Sequence, residues 1–80
     1  MDSVLRSKFL RLLYEKAGGS VLELIDMYTL GDQLGLDKDQ TYEIAAYLTE
    51  QKKIIIRPGN GVRMEDAGAK WVEEYNNSLA

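Results

Sequence analysis

The sequence predicts a mainly α-helical chain with one small β-hairpin, an α+β architecture forming a single domain over residues 1–80. Three observations predict it. Apolar residues recur at three- and four-residue steps in separate stretches, Asp37 and Gln40 stand as a capping pair before the most regular of these, and the β-branched Ile54-Ile55-Ile56 is mirrored by Val62-Arg63-Met64 across Arg57-Pro58-Gly59-Asn60-Gly61. With 80 residues and 45% hydrophobic content, a second core would leave each half too small to bury enough apolar surface.

Leu5, Phe9, Leu12, Leu13 and Lys16 follow helical spacing, Asp2 or Ser3 is placed to cap, and Gly18-Gly19 is placed to stop, which predicts a first helix over about 3–17. Ser20-Val21-Leu22-Glu23 has the capping-box pattern, so a helical turn can restart there. Val21 to Tyr28 suits a short strand equally well, and helix and strand both stay open for residues 20–27. Leu30 and Leu34 lie four apart before Gly35, which suits the left-handed position past a helix end. The second helix therefore ends in a tight turn. Asp37 is the N-cap of a third helix over about 38–51, whose stripe of Thr41, Ile44, Ala45 and Leu48 points inward.

Ile54-Ile55-Ile56 and Val62-Arg63-Met64 form the hairpin, closed by a four-residue loop with Arg57 and Arg63 flanking it. Gly68, Val72, Tyr75 and Leu79 then share one helical face with Trp71 beside it, and Glu73 and Glu74 fall on the wet side. This fourth helix is expected to fray after Tyr75, because Asn76, Asn77 and Ser78 are poor helix formers.

Composition narrows the function classes. There is no cysteine and no histidine, so disulfides, thiolate chemistry and the usual zinc ligands are absent, and no cofactor or metal is expected. No run approaches the roughly 18 apolar residues of a membrane helix, and Arg6, Lys8 and Arg11 interrupt the start, against a signal peptide. A soluble, cytoplasmic chain with no membrane partner is expected. An enzyme is not: Gly59-Asn60-Gly61 lies in a hairpin and makes no phosphate cradle, and Asp37-x-Asp39-x-Thr41 fails as a calcium loop because Tyr42 and Leu48 replace the required glycine and glutamate. The net charge of −3 does not itself favour a polyanion, yet Lys52, Lys53, Arg57 and Arg63 form a run without acids.

Three helices, a hairpin and a last helix resemble the winged helix-turn-helix family, and particular residues carry the likeness. Leu34-Gly35-Leu36-Asp37 is similar to the family's Leu-Gly-Leu-Ser turn, Thr41, Ala45 and Leu48 match its buried Val, Leu and Leu, and Val62 to Gly68 is similar to its closing hydrophobic-x-Leu-Thr-x-x-Gly. Two positions depart: Lys52-Lys53 stands where the family has Gly-Leu before its first wing strand, and Glu65 stands where it has Thr. The resemblance implies a transcriptional regulator that binds duplex DNA, with the third helix in the major groove and the hairpin, or wing, on the backbone. The positions it carries over are Lys38, Asp39, Gln40, Tyr42, Glu43 and Ala46 on the helix and Arg57, Asn60 and Arg63 on the wing, beside Lys52 and Lys53.

At about 100° per residue, with the apolar stripe inward, Asp39, Glu43, Ala46 and Glu50 point outward and Tyr42 and Tyr47 flank them. Capping accounts for Asp37 and Asp39 without any ligand. Glu43 has no such account and opposes phosphate, while arginine, the usual reader of guanine, is absent from this helix. Exposed cations on the hairpin also have an ordinary role, discouraging edge-to-edge strand pairing. Were Lys38 and the four cations of the run all to meet phosphates, the salt slope would be roughly −4 to −5. The alternative is a protein-interaction or dimerisation module without DNA binding: the acids suit a basic protein partner, and Tyr75 and Leu79 on the last helix suit a homodimer contact.

Overall fold

The structure, a computed structural model, describes residues 3–79, and of Leu79 only the backbone. Helix α1 covers Ser3–Lys16. It stops where the glycines predict: Gly18 and Gly19 have φ of +62° and +79°, and the Gly19 N–H donates to the Tyr14 carbonyl at 3.0 Å. Ser3 is the first helical residue, and the other candidate cap, Asp2, lies outside the described residues.

Residues 20–27 divide between the two open readings. Ser20 Oγ accepts from the Leu22 N–H at 3.0 Å, not from Glu23, so no capping box forms and no helical turn restarts. Strand β1, Ile25–Asp26, follows, and Asp26 then caps helix α2, Met27–Gln33, by accepting from the Thr29 N–H at 3.0 Å and its hydroxyl at 3.2 Å. Asp26 brings a full negative charge to the positive helix end and is fixed by strand pairing; Ser20 has neither advantage. The end of α2 is a Schellman turn, with Leu36 N–H on the Gly31 carbonyl at 2.9 Å, Gly35 N–H on that of Asp32 at 3.1 Å, and Gly35 at φ +75°.

Helix α3, Lys38–Glu50, opens on the full capping box: Asp37 accepts from the Gln40 N–H at 2.8 Å and Gln40 Oε1 from the Asp37 N–H at 3.2 Å. Thr41, Ile44, Ala45 and Leu48 are all buried, as their spacing predicts, while Ala46 is half-buried and not fully outward. At the far end Lys52 takes φ +59°, and the N–H groups of Lys52 and Lys53 reach the carbonyls of Thr49 and Leu48, each at 3.0 Å. A lysine thus adopts the left-handed turn that glycine ordinarily supplies.

Strands β2, Ile54–Arg57, and β3, Gly61–Met64, pair antiparallel with Ile54 opposite Met64 and Arg57 opposite Gly61. The loop is therefore three residues, Pro58 to Asn60, and not four. Gly59 and Asn60 both lie in the left-handed region, at φ +87° and +68°, so the chain reverses one residue early and Gly61 pairs on both sides, with Arg57 and with Asp26. The sheet order is β1-β3-β2. Ile54, Val62 and Met64 are buried, whereas Ile55, Arg57 and Arg63 alternate onto the outer face.

Helix α4 spans Asp66–Leu79. It continues past Tyr75 where fraying was expected; the Ser78 hydroxyl donates to the Tyr75 carbonyl at 2.8 Å, and the Trp71 and Tyr75 rings stack at 5.4 Å. One cluster unites the elements, drawing Phe9, Leu13, Leu30, Ile44, Ile54, Met64 and Val72 together. Among the described residues no helix is long and apolar enough to cross a membrane.

Candidate functional site

Two contacts bring the hairpin tip to the N-terminal end of α3. The Met27 N–H donates to the Asn60 carbonyl at 2.9 Å, which ties the tip to the start of α2, and the Lys38 ammonium lies 5.8 Å from the centroid of the Tyr28 ring one residue further on. Tyr28, Lys38, Asp39, Tyr42 and Glu43 line one shallow depression there. Tyr42 is 53% exposed, so its hydroxyl is open to a partner. Gln40 has its side-chain carbonyl engaged in the capping box, which leaves its NH₂ group as donor. Arg57 and Asn60 are exposed at the tip.

The start of α3 offers ammonium, amide and phenol donors and the hairpin tip offers a guanidinium, a set that suits phosphate and base-edge oxygens. It is not strongly cationic. Lys38 and Arg57 supply two positive charges, and the exposed Asp39 and Glu43, which share the depression with Lys38, supply two negative ones. Glu50 is also exposed, but at the other end of the helix.

The remaining basic residues go elsewhere. Lys52 and Lys53 follow the C-terminus of α3, roughly 20 Å along the helix from Lys38 at 1.5 Å per residue. Lys53 Nζ is 5.4 Å from the Trp71 ring centroid, facing α4 and not the hairpin tip. Arg63 is half-buried, with a guanidinium nitrogen 3.4 Å from the Val21 carbonyl, so it braces the segment before β1. The sequence grouped these cations by adjacency; the strand direction separates them.

Tyr75, a candidate dimer contact, is covered from within the chain: it stacks on Trp71 and carries the Arg11 guanidinium 4.6 Å from its centroid. The side chain of Leu79, the other candidate, lies outside the described residues. Two surface features were not among the residues that the sequence singled out. Tyr28 enters the depression only through the crossing of α2 and α3, and Leu22 and Leu24 stand 78% and 51% exposed before β1. The alternating Leu22-Glu23-Leu24 was the one sequence hint of an apolar side facing out. No family model, curated protein or solved structure matches the chain.

Proposed function

We propose that the chain is a winged helix-turn-helix module that docks weakly on duplex DNA, in the manner of a transcriptional regulator. The N-terminal end of α3 approaches the major groove and the hairpin tip reaches the backbone. The observation that carries this reading is the shared position of the two: the tip is bonded to the start of α2, and Lys38 at the start of α3 lies over Tyr28. The element order, with β1 pairing on the central strand β3 between the first two helices and the hairpin, supports the same family likeness. Lys38, Gln40, Tyr42, Arg57 and Asn60 are the contacts on this reading. Asp39 and Glu43 hold the affinity down, and a second copy supplies the rest of the grip.

The test is a titration of a random-sequence duplex into isotope-labelled protein at low salt, followed by amide shifts. Saturable, salt-sensitive changes at 38–42 and 57–61 are expected. Silence there at high duplex concentration would refute DNA docking.

A second reading, contact with another protein, is favoured by one observation, the exposure of Leu22 and Leu24 beside the outer face of the sheet, where Leu24 meets Gly61. Shifts confined to 21–25 on adding a partner, with none on adding duplex, would select it.

A further inference from the structure

The end of α3 remote from the hairpin tip borders a cavity of about 170 Å³ between α1, α3 and α4. Arg6, Ser7 and Leu10 from α1 form one wall, and Tyr47, Lys53 and Trp71 form the others. The Arg6 guanidinium lies 3.8 Å from the Tyr47 centroid and Lys53 Nζ lies 5.4 Å from that of Trp71. Among the described residues neither cation is ion-paired, and no residue lining the cavity is acidic. Among the described residues Arg6 Nε is buried without an acceptor. A buried charged donor left unpaired is costly, and native structures seldom tolerate one without a partner.

Two positive charges and a serine hydroxyl therefore border a space with aromatic and aliphatic walls. What fits is an anionic acceptor joined to an apolar body. The volume is below the roughly 300–1,000 Å³ of drug-sized sites, which limits the occupant to about one ring or a short chain. Arg11 provides a contrast. Its Nε is likewise buried without an acceptor among the described residues and its guanidinium covers Tyr75, but the depression beside it sets Glu15 against Lys8 and Arg11, which leaves it a weaker pull on an anion than an acid-free lining with two cations.

We propose that this cavity binds a small carboxylic acid with an aromatic or short hydrocarbon body. The carboxylate meets the edge of the Arg6 guanidinium, whose face stays on Tyr47, and the Lys53 ammonium; the apolar part lies against Leu10 and Trp71. The occupant bridges α1, α3 and α4, so it stabilises the fold by mass action. The inference does not depend on DNA docking, which involves the other end of α3.

Benzoate is the probe, and Trp71 is the reporter, because it is the only tryptophan in the chain. Titration of the intact protein with benzoate is expected to change Trp71 emission saturably, with Kd about millimolar for so small a ligand. Benzamide, which has the shape without the charge, and inorganic phosphate, which has charge without the ring, are each expected to bind about ten-fold more weakly or less. Arg6→Gln and Lys53→Met, checked for unchanged helical circular dichroism, are expected to lose a similar factor for benzoate. No saturable change, equal binding of benzamide or phosphate, or full affinity in a folded Arg6→Gln protein would overturn the proposal. The comparison of benzoate with benzamide on the unaltered chain decides it even if both variants unfold.

Discussion

Lys52 holds the left-handed position that closes α3, at φ +59°. A side chain there costs about 1–2 kcal/mol that glycine does not incur, and glycine's greater freedom in the unfolded chain returns about 0.4–1 kcal/mol of that. Lys52→Gly is therefore expected to stabilise the protein by about 0.5–1 kcal/mol, seen as a higher urea midpoint with unchanged slope. A lower midpoint would mean that the lysine side chain contributes more than its backbone costs. Tyr14 poses a second test at this scale. Its hydroxyl donates to the Glu73 carboxylate at 3.0 Å, and that bond, then burial, then the carboxylate charge raise the phenol above its ordinary 10.0. The folded value exceeds the unfolded one, so the stabilisation is fully present below the unfolded pKa and disappears as pH rises through the folded pKa, in the alkaline window above 10.0. Glu73→Gln is expected to bring the Tyr14 titration back toward 10.0, followed by the NMR shift of its Cζ carbon. An unmoved titration would exclude Glu73 as the cause.

The crossing of α2 and α3 turns on Gly31, a buried glycine inside a helix, where it costs about 1 kcal/mol relative to alanine. Alanine does not fit. Its Cβ would fall on Thr41 Oγ1 and lie 2.9 Å from Thr41 Cβ and Cγ2. Thr41 cannot swing aside, because it is on the buried stripe and its hydroxyl donates to the Asp37 carbonyl at 2.8 Å. Gly31→Ala is expected to destabilise by about 1–3 kcal/mol, read from urea unfolding, despite alanine's better helix propensity. Wild-type stability would show that α2 can move off α3 at little cost. The same elements show what the sequence made legible. The α3 stripe and its capping box are local, repeating signals, and the hairpin follows from the triple isoleucine and Val62-Arg63-Met64 on either side of turn residues, so both were readable. Strand β1 has two residues; the local pattern left helix and strand open there, and the edge that β3 offers decides for the strand. At the candidate site, Tyr42 and Arg57 were placed on exposed positions as the spacing implied. The separation of Lys53 from Arg57 depends on β2 running away from α3's end, and the pairing of Lys38 with Tyr28 depends on a helix crossing.

For the molecule as a whole, the decisive matter is how many cations remain for a polyanion. Of ten lysines and arginines, Arg6, Arg11, Lys38 and Lys53 lie over aromatic rings and Arg63 meets a carbonyl, which occupies five. Rings hold cations loosely at the surface, so Lys38, 5.8 Å from its ring centroid, still counts toward phosphate. Lys38 and Arg57 are then the pair at the proposed docking end, where each phosphate contact would contribute about −0.9 to the salt slope. The slope for one copy is expected to be about −2, and for a dimer about −4, with sedimentation fixing which species is measured. Arg57→Ala is expected to reduce it by about 1 per copy, while Lys52→Gly, at the other end of α3, leaves it unchanged. A monomer with a slope of −4 to −5, or a loss on Lys52→Gly equal to that on Arg57→Ala, would mean that the cations at both ends of α3 meet the duplex, and that the docking surface runs the length of the helix instead of its first turns.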